Sequence, residues 1–374
     1  MQNPFAYSNY VTGESFCNRS KEISELLKHI KASQNVLLYS HRRHGKSSLI
    51  QEVFNKITTE KMNIDTMHVE LYGTISEKDF ITRTFHCLNQ LESNLDKLLK
   101  SVSRAVKSIR LKLSIDSITG STTVSPSFEV ANEKVLLEEL MNLLDTYSQK
   151  RKIVIAFDEF QEVARYTEET FEKRLRSFIQ NHSNICYIFS GSQQHLITQM
   201  FNSNSRAFYK MAESFPLGRI ATKHYIPWVQ NLFRKKNVHL PDKLIEEIIS
   251  RFENHPMYIQ NFLFHLWEES IKKDISLETI NKIESLIIEK KDLEYTTIWE
   301  TLTINQKKTL KLILLHNGTN LYNADSLQSV NLKTGSLVTK ALSTLTTKEI
   351  IAKNGNYQIQ DVVFKKWLEK NLMD

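Results

Sequence analysis

Glycine is scarce in this sequence, and its spacing excludes several nucleotide-binding motifs. Only nine of the 374 residues are glycine, and no two of them form G-x-G. Dinucleotide-binding fingerprints and kinase-type loops need closely spaced glycines, because their backbone must approach phosphate groups. The motifs H-E-x-x-H and G-x-S-x-G are also absent. The sequence therefore does not indicate a Rossmann dehydrogenase, a protein kinase, a zincin-type protease or an α/β-hydrolase.

Cysteine is equally sparse, since Cys17, Cys87 and Cys186 are far apart and form no C-x-x-C. This usage signals neither a zinc site nor a disulfide framework, and it fits a reducing compartment. Residues 1–13 show no basic start followed by an apolar run. No segment reaches the ~18 consecutive apolar residues of a membrane span. We therefore expect a cytoplasmic protein without a signal peptide or a membrane segment.

The charge balance is mildly basic, with 49 Lys and Arg residues against 42 Asp and Glu residues and a net charge of +7. This excess is compatible with a nucleic-acid partner but does not require one. Hydrophobic residues make up 41% of the chain and charged residues 24%, as in globular proteins. At about 100–200 residues per domain, the length indicates two or three domains.

Short apolar runs alternate with helical patterns over the first 218 residues. Strands that alternate with helices are typical of a parallel sheet covered on both faces, so residues 1–218 are predicted to form an α/β domain. Residues 115–127 are rich in Ser, Thr, Gly and Pro, which predicts a loop or hairpin excursion from this domain. The predicted strands are residues 35–39, 66–72, 152–157 and 185–189.

Helical patterns dominate after residue 218. Residues 219–300 are predicted to form a small helical domain. Residues 301–374 read as three helices and two short strands around Asn354-Gly355-Asn356, a hairpin-turn signal, so we predict a winged-helix domain. This last segment holds ten Lys, no Arg and five acidic residues, which gives it a net charge of +5.

Residues 40–48 (SHRRHGKSS) carry a phosphate-binding motif. They match G-x-x-x-x-G-K-[ST] between a predicted strand and a predicted helix, although Ser40 replaces the first glycine. Backbone N–H groups would surround the phosphate oxygens, Lys46 would reach the β- and γ-phosphates, and the Ser47 hydroxyl would ligate Mg²⁺. The residues of this loop that we expect to contact a nucleotide are Arg43, His44, Gly45, Lys46, Ser47 and Ser48.

A second motif, IVIAFDE at residues 153–159, is an apolar strand that ends in two carboxylates. Asp158 would hold Mg²⁺, mostly through its water, and Glu159 would polarise the attacking water. A strand that ends in solvated carboxylates is common, and a bare G-K-S is weak, but the two motifs in this order favour nucleotide binding. Ser192 follows the fourth predicted strand, where it would sense the γ-phosphate or attacking water, although ordinary turn chemistry also places serine there.

Further motifs, spread over most of the chain, resemble those of the archaeal-type P-loop ATPases of the STAND class, relatives of AAA+ and origin-recognition proteins. That family opens with N-P-F and F-x-x-R-x-x-E, and its later motifs include D-E-F-Q and G-H-P. The matching segments are NPF at residues 3–5, FCNR at 16–19 with Glu22, RRHGKSSL at 42–49, DEFQE at 158–162, GS at 191–192, NHP at 254–256 and QIQD at 358–361.

The resemblance implies that ATP binds between a RecA-like core and a helical lid, with a winged helix packed behind. His255 and Pro256 would contact the nucleotide from the lid, and Arg19 would lie near the base. Ser40 and Asn254 stand where the family has glycine, and either change could slow hydrolysis without abolishing binding. The candidates for an arginine that senses the γ-phosphate are Arg174, Arg176, Arg206 and Arg219.

The output of such an ATPase stays open at this point. The resemblance favours an ATP-driven switch that engages a protein partner or nucleic acid, for example in bacterial defence or a DNA transaction, and that could form oligomers. The alternatives are a nucleotide-bound scaffold with little turnover, which would hold a partner such as a nuclease, and a DNA-binding regulator with an unused loop.

The basic segments do not decide between these outputs. The winged helix could grip DNA or dock a protein, and its lack of Arg counts against base readout. A basic helical face at Lys100, Arg104 and Lys107 could likewise be solvated or dock an acidic partner or a nucleic-acid backbone. The winged-helix candidates for DNA contact are Lys333, Lys340, Lys348 and Lys353.

Overall fold

The computed structural model describes residues 2–91, 109–115, 122–128, 133–167, 170–270 and 275–372. The chain forms two compact units. The sheet unit is Arg19–Gly218, and the helical unit is Met1–Asn18 together with Arg219–Asp374. The predicted basic face at Lys100, Arg104 and Lys107 lies outside the described residues.

A five-stranded parallel sheet forms the centre of the sheet unit, and a separate antiparallel hairpin accompanies it. The parallel strands lie in the order β2-β5-β6-β1-β7, so that β6 separates β1 from β5, and β3 pairs with β4 to form the hairpin. The strands are β1 (Val36–Tyr39), β2 (Ile64–Glu70), β3 (Ile109–Ile115), β4 (Thr122–Phe128), β5 (Lys152–Asp158), β6 (Ile185–Gly191) and β7 (Glu213–Pro216).

Helices flank the sheet, and their apolar spacing explains their packing. In the first helix Ile23, Leu26, Leu27 and Ile30 are buried, as their i, i+3, i+4, i+7 spacing predicts. All residues of β6 are buried, which explains its continuous apolar run. The helices are α1 (Ser20–Lys31), α2 (Lys46–Thr59), α3 (Glu77–Leu91), α4 (Glu133–Ser148), α5 (Phe171–Asn181) and α6 (Gln194–Asn202).

The predicted α/β fold and its four strands are confirmed, and the 115–127 segment takes the hairpin alternative over its described residues. Sequence analysis missed β7 (ESFP), because only Phe215 of its four residues is buried and no apolar run marks it. That strand completes the sheet beside β1, with Leu37 paired to Ser214.

The helical unit combines helices with a terminal hairpin. The helical pattern of the sequence is continuous over residues 277–299, but the structure has two helices there, which end and begin around Lys290 and Lys291. Its elements are α7 (Thr222–Arg234), α8 (Asp242–Arg251), α9 (Pro256–Glu269), α10 (Leu277–Glu289), α11 (Asp292–Glu300), α12 (Ile304–Leu315), α13 (Ala324–Ser329), α14 (Gly335–Thr347), β8 (Ile351–Asn354), β9 (Asn356–Ile359) and α15 (Val362–Leu372).

The winged helix consists of α12, α13, α14 and the β8–β9 hairpin, followed by α15, in agreement with the predicted pattern. The hairpin turns at Gly355, whose φ of +74° lies in the left-handed region that glycine adopts without strain. One buried hydrophobic cluster includes Leu232 of α7, Ile283 of α10 and Leu368 of α15. The winged helix therefore shares a core with the helices that precede it.

Residues 2–18, which sequence analysis grouped with the sheet domain, pack on α7 and α9 of the helical unit. The Phe5 ring lies 5.3 Å from the Trp228 ring and 6.0 Å from the Trp267 ring, both in edge-to-face contacts. Gln260 donates a hydrogen bond to the Ser15 carbonyl oxygen over 2.7 Å. Burial of an aromatic ring explains this placement, because Phe5 is only 2% exposed.

Polar contacts tie α15 to the α8–α11 region. Lys365 pairs with Glu253 at 2.8 Å, and Lys366 pairs with Glu284 at 2.6 Å. The Tyr295 hydroxyl donates to Asp361 over 3.1 Å.

None of the helices in the described ranges combines the length and the apolar character that crossing a bilayer requires.

Candidate nucleotide-binding site

The predicted phosphate loop connects β1 to α2, and two of its residues have a left-handed backbone conformation. Arg43 and Gly45 have φ values of 64° and 88°, both in the left-handed region. Gly45 caps α2, and Lys46 begins it, so the loop ends at a helix N-terminus with its unpaired N–H groups and positive field. The loop therefore has the backbone shape that phosphate binding requires.

Ser40, which replaces the first glycine of the motif, fits this loop without strain. Its φ lies outside the left-handed region, so a side chain at this position causes no backbone conflict. The residue is fully buried, and its Oγ donates to the His41 carbonyl oxygen over 3.0 Å. The hydroxyl thus adds a hydrogen bond at the start of the loop.

Arg19 contacts the loop backbone from α1. Its side chain is 4% exposed, and Nη2 donates to the His44 carbonyl oxygen over 3.2 Å. Nη1 forms an ion pair with Glu22 at 3.0 Å. The R-x-x-E motif therefore joins an internal ion pair to the loop, while the predicted contact between Arg19 and the nucleotide base stays a prediction.

Asp158 at the end of β5 lies against Ser47 at the start of α2. The Ser47 hydroxyl donates to Oδ2 over 2.5 Å, and the Glu159 N–H donates to Oδ1 over 3.1 Å. Burial alone would raise the pKa of Asp158, but the nearby His68 ring and the hydrogen bond from Ser47 outweigh it and lower that pKa to about 2. The carboxylate is ionised at neutral pH, and it forms with the hydroxyl an oxygen pair of the kind that Mg²⁺ prefers.

Glu159 adopts a left-handed conformation, with φ of 53°, and its carboxylate lies against β6. Oε2 accepts hydrogen bonds from Ser192 Oγ at 2.9 Å and from Gln161 Nε2. The structure therefore brings together the proposed base and the proposed sensor, which lie 33 residues apart. The catalytic roles of Glu159 and Ser192 stay predictions.

Gly191 leaves room for this arrangement. A Cβ at this position would lie 2.3 Å from Gln161 Oε1 and 2.4 Å from Ile197 Cδ1. Both distances are shorter than atoms tolerate without a shift. A larger residue would therefore displace the ends of the Gln161 and Ile197 side chains, although its φ would not be left-handed.

Sequence analysis missed two residues of β2 at this site, His68 and Glu70. In the sheet register His68 pairs with Ala156 and Glu70 pairs with Asp158. His68 Nε2 lies 3.5 Å from Asp158 Oδ2. Burial raises the pKa of Glu70, and the nearby carboxylates of Asp158 and Glu159 raise it further.

A signal for these residues was present in the sequence of β2. The strand alternates Thr66, His68 and Glu70 with the buried Met67 and Val69, whereas β5 and β6 are apolar almost throughout. An alternating strand beside apolar ones has a polar face. The pattern could have identified that face, although not which strand it would adjoin.

His255 and Pro256, which the resemblance predicts to contact the nucleotide, lie in the helical unit. Pro256 is the first residue of α9, and the buried His255 ring lies 4.8 Å from the Tyr258 ring. Asn254, which replaces the family glycine, has φ of 57° and donates to the Ile220 carbonyl oxygen over 3.0 Å. Their contact with a nucleotide stays a prediction.

The four candidate sensor arginines all make contacts within their own units. Such contacts are typical of arginines with a structural role, and a sensor role for any of the four stays a prediction. Arg174 pairs with both oxygens of Glu77, Arg176 donates to the Ala207 carbonyl oxygen, Arg206 pairs with Glu172, and Arg219 pairs with Glu253.

Known proteins share parts of this architecture. A family model described as a probable winged helix domain matches residues 293–370. The structure of a Walker-type ATPase of Pyrococcus abyssi is similar over 95% of this chain and 97% of that chain, with a TM-score of 0.65 and 17% identity. Among curated proteins, no sequence matches significantly.

The ORC2 protein of Aeropyrum pernix is also similar. Its ADPNP-ADP complexes match with a TM-score of 0.54 and 14% identity over 95% of each chain. Its ADP form matches with a TM-score of 0.55 and 13% identity, over 98% of this chain and 97% of that chain. At these identities the similarity shows the fold alone, a five-stranded parallel sheet with flanking helices followed by a helical region and a C-terminal winged helix.

Proposed function

We propose that this protein binds ATP with Mg²⁺, hydrolyses it, and acts as a molecular switch of the STAND type. The observation that carries this proposal is the contact between Ser47 and Asp158 at 2.5 Å, directly after a loop shaped for phosphate. The two residues come from different strand–helix connections, 111 positions apart, and their contact fits the metal-binding role that each motif predicts. The ADP and ADPNP complexes of the similar ORC2 protein support the same ligand.

The residues of the site divide the chemistry between them. Lys46 would hold the β- and γ-phosphates, and Ser47 and Asp158 would hold Mg²⁺, which neutralises phosphate charge when bound. Glu159 would orient and polarise the attacking water, with Ser192 beside it. Arg43, His44, Gly45 and Ser48 would complete the phosphate loop.

Titration of a fluorescent ATP analogue tests the binding site. Lys46→Ala should weaken binding about a hundredfold, because a hydrogen bond to a charged group contributes about 1.5–3 kcal/mol and each 1.4 kcal/mol is tenfold. Lys56→Ala is the matched control, since this half-exposed lysine lies on the same helix and forms an ion pair with Glu60. Equal affinities in all three proteins would disprove the phosphate loop.

Turnover separates the switch from the scaffold that hydrolyses little. The observation that favours the scaffold is the Glu159 carboxylate, which Ser192 and Gln161 already engage. Phosphate release should be measured with and without DNA. A switch predicts turnover that a partner changes, whereas a scaffold predicts tight nucleotide binding with almost no release in either condition.

For the output of the switch, we propose nucleic acid bound through the winged helix. The exposed face of α14 presents hydroxyl and ammonium groups, and residues 326–348 contain no Asp or Glu. Such a surface suits phosphate oxygens without base readout. The exposed residues of this face are Ser336, Thr339, Lys340, Ser343, Thr346 and Thr347.

Salt dependence tests this output. Replacing Lys333, Lys340 and Lys353 with Gln should reduce the slope of DNA affinity against salt by about one unit for each lost phosphate contact. The matched control replaces Lys223, Lys243 and Lys282, which are exposed outside the winged helix. A parent protein that binds no DNA at low salt would indicate that the winged helix docks a protein.

A further inference from the structure

We propose that His68 is a positioning residue that orients Asp158 toward Mg²⁺. This inference rests on the proposed function, because it concerns the same metal site. The sheet places the two residues together: β2 lies beside β5, and His68 pairs with Ala156, two positions before Asp158. His68 Nε2 lies 3.5 Å from Asp158 Oδ2, on a carboxylate that is 1% exposed.

The contacts of Asp158 show why a third contact matters. Oδ1 accepts the Glu159 N–H, which fixes one oxygen through the backbone. Oδ2 accepts the Ser47 hydroxyl, but Ser47 is itself a proposed metal ligand, so this contact can change when Mg²⁺ binds. His68 approaches the same oxygen from the neighbouring strand and has no ligand role. It can therefore keep the carboxylate oriented whether or not the metal is bound.

The imidazole of His68 is well placed for this task. Its backbone belongs to the sheet, and its carbonyl oxygen accepts a hydrogen bond from Cys87 Sγ of α3 over 3.2 Å. The side chain is 16% exposed, so it lies at the edge of the site and not in the hydrophobic core. With a proton on Nε2, the imidazole presents a donor toward Asp158 Oδ2.

Groups that hydrogen-bond to the metal ligands and orient them contribute to metal affinity, and their mutation typically lowers that affinity about ten- to a hundredfold. The test is the Mg²⁺ concentration at which a fluorescent ATP analogue reaches half of its full binding. His68→Phe keeps a ring of similar size without a donor, and it should raise this midpoint about tenfold or more, the lower end of the effect seen for such groups. Affinity measured in EDTA should stay within about twofold of the parent, because the phosphate loop is untouched.

Two further variants make the test specific. His68→Gln keeps an N–H donor at a similar reach and should recover most of the lost Mg²⁺ response. His86→Ala is the matched control, since this exposed histidine of α3 contacts Gln90 and not Asp158. Thermal unfolding of each variant identifies general damage, and if His68→Phe does not fold, the comparison of His68→Gln with His68→Asn, whose amide is one methylene shorter, replaces it.

The outcomes separate this inference from the proposed function. A folded His68→Phe protein with an unchanged Mg²⁺ midpoint would overturn the role of His68. Equal loss of affinity with Mg²⁺ and in EDTA would also overturn it, because the effect would then not involve the metal. A parent protein that binds no nucleotide in either condition would overturn the proposed function, and this inference with it.

Discussion

The two units of the protein arrange their polar side chains in different ways. In the sheet unit a group of buried polar residues lies at the carboxyl ends of β1, β5 and β6. In the helical unit polar residues, some of them partly exposed, form separate pairs, such as Glu253 with Lys365 and Tyr295 with Asp361. The residues of the group in the sheet unit include Arg19, Ser40, His44, Lys46, Asp158 and Ser192, each less than 9% exposed.

This difference distinguishes a functional site from a structural brace, by which we mean a pair of polar side chains that holds two elements of the fold together. Burying a charged group costs free energy unless a partner compensates, so residues that gather charge at one place need a ligand or a function to retain it. Separate pairs satisfy their own hydrogen bonds and hold elements together. Mutations of the residues at the carboxyl ends of the strands should therefore change nucleotide binding or hydrolysis. Mutations of the pairs in the helical unit should change the free energy of unfolding.

The largest effect should come from Glu159→Gln. The glutamate would act on water in the transition state, so the variant should keep its ATP affinity and lose turnover by about a hundredfold or more, as expected for a general base. Asp158→Ala should reduce both, because Asp158 would hold the metal already in the bound state. Steady-state phosphate release and analogue affinity should be measured for both variants. Unchanged release in Glu159→Gln would remove it from catalysis and direct attention to Ser192.

Gly191→Ala should give the next largest effect, now on stability. The added Cβ meets Gln161 and Ile197, and overpacking of this kind costs about 1–3 kcal/mol. Gly218→Ala is the matched control, because a Cβ there meets no atom within 4 Å, and its cost should stay within about 0.5 kcal/mol. Urea unfolding measures both. Equal stabilities would show that β6 and α6 can shift to admit the methyl group.

Asp361→Ala tests a brace of the helical unit. Asp361 Oδ1 accepts the Val363 and Phe364 N–H groups at 2.9 and 3.0 Å, as an N-cap does. Its loss should lower the free energy of unfolding by about 1–2 kcal/mol and leave nucleotide affinity unchanged. Asp325→Ala, an exposed residue in the first turn of α13, should have less effect. A marked loss of nucleotide affinity would break the distinction between site and brace.

Glu253 should give the smallest effect, and it depends on pH. Burial raises its pKa, but hydrogen bonds with Lys365 and Arg219 outweigh it and lower that pKa below its ordinary value. A lowered pKa in the folded state stabilises the protein above the unfolded pKa, about 4.3, and this contribution disappears as the pH falls toward the folded value. Glu253→Gln should cost less than about 1 kcal/mol at pH 7, since the pair is partly solvated. A cost that does not decrease as the pH falls below about 4.3 would contradict the ionic origin.

Sequence reasoning predicted the fold better than the site. Apolar runs mark β1, β5 and β6, and the G-K-S and D-E motifs mark Lys46, Ser47, Asp158 and Glu159, because these signals are local. The order of the strands is not local: β2 lies beside β5, although 81 residues separate the end of one from the start of the other. His68 joins the site only through that order, so the alternation of β2 could mark a polar face but not the strand beside it.

Three other features of the structure could not be predicted from the sequence, because each depends on the folded backbone or on contacts between distant residues. The contact of Arg19 with the His44 carbonyl oxygen involves backbone, which carries no sequence signal. The placement of Phe5 depends on a pocket of aromatic rings more than 200 residues away. The fit of Ser40 could not be predicted either, since it depends on a backbone angle that one substitution in a motif does not disclose.

The packing of residues 2–18 on the helical unit has a consequence for synthesis of the chain. The sheet unit is complete once Gly218 has left the ribosome, because all its elements lie within Arg19–Gly218. The helical unit is not, since Phe5 precedes the sheet unit in the chain and its partner Trp267 follows it. Domains generally fold as units during synthesis, so the sheet unit should fold while the Phe5 ring is still without its aromatic partners. That ring stays exposed to solvent until Trp228 and Trp267 have been made.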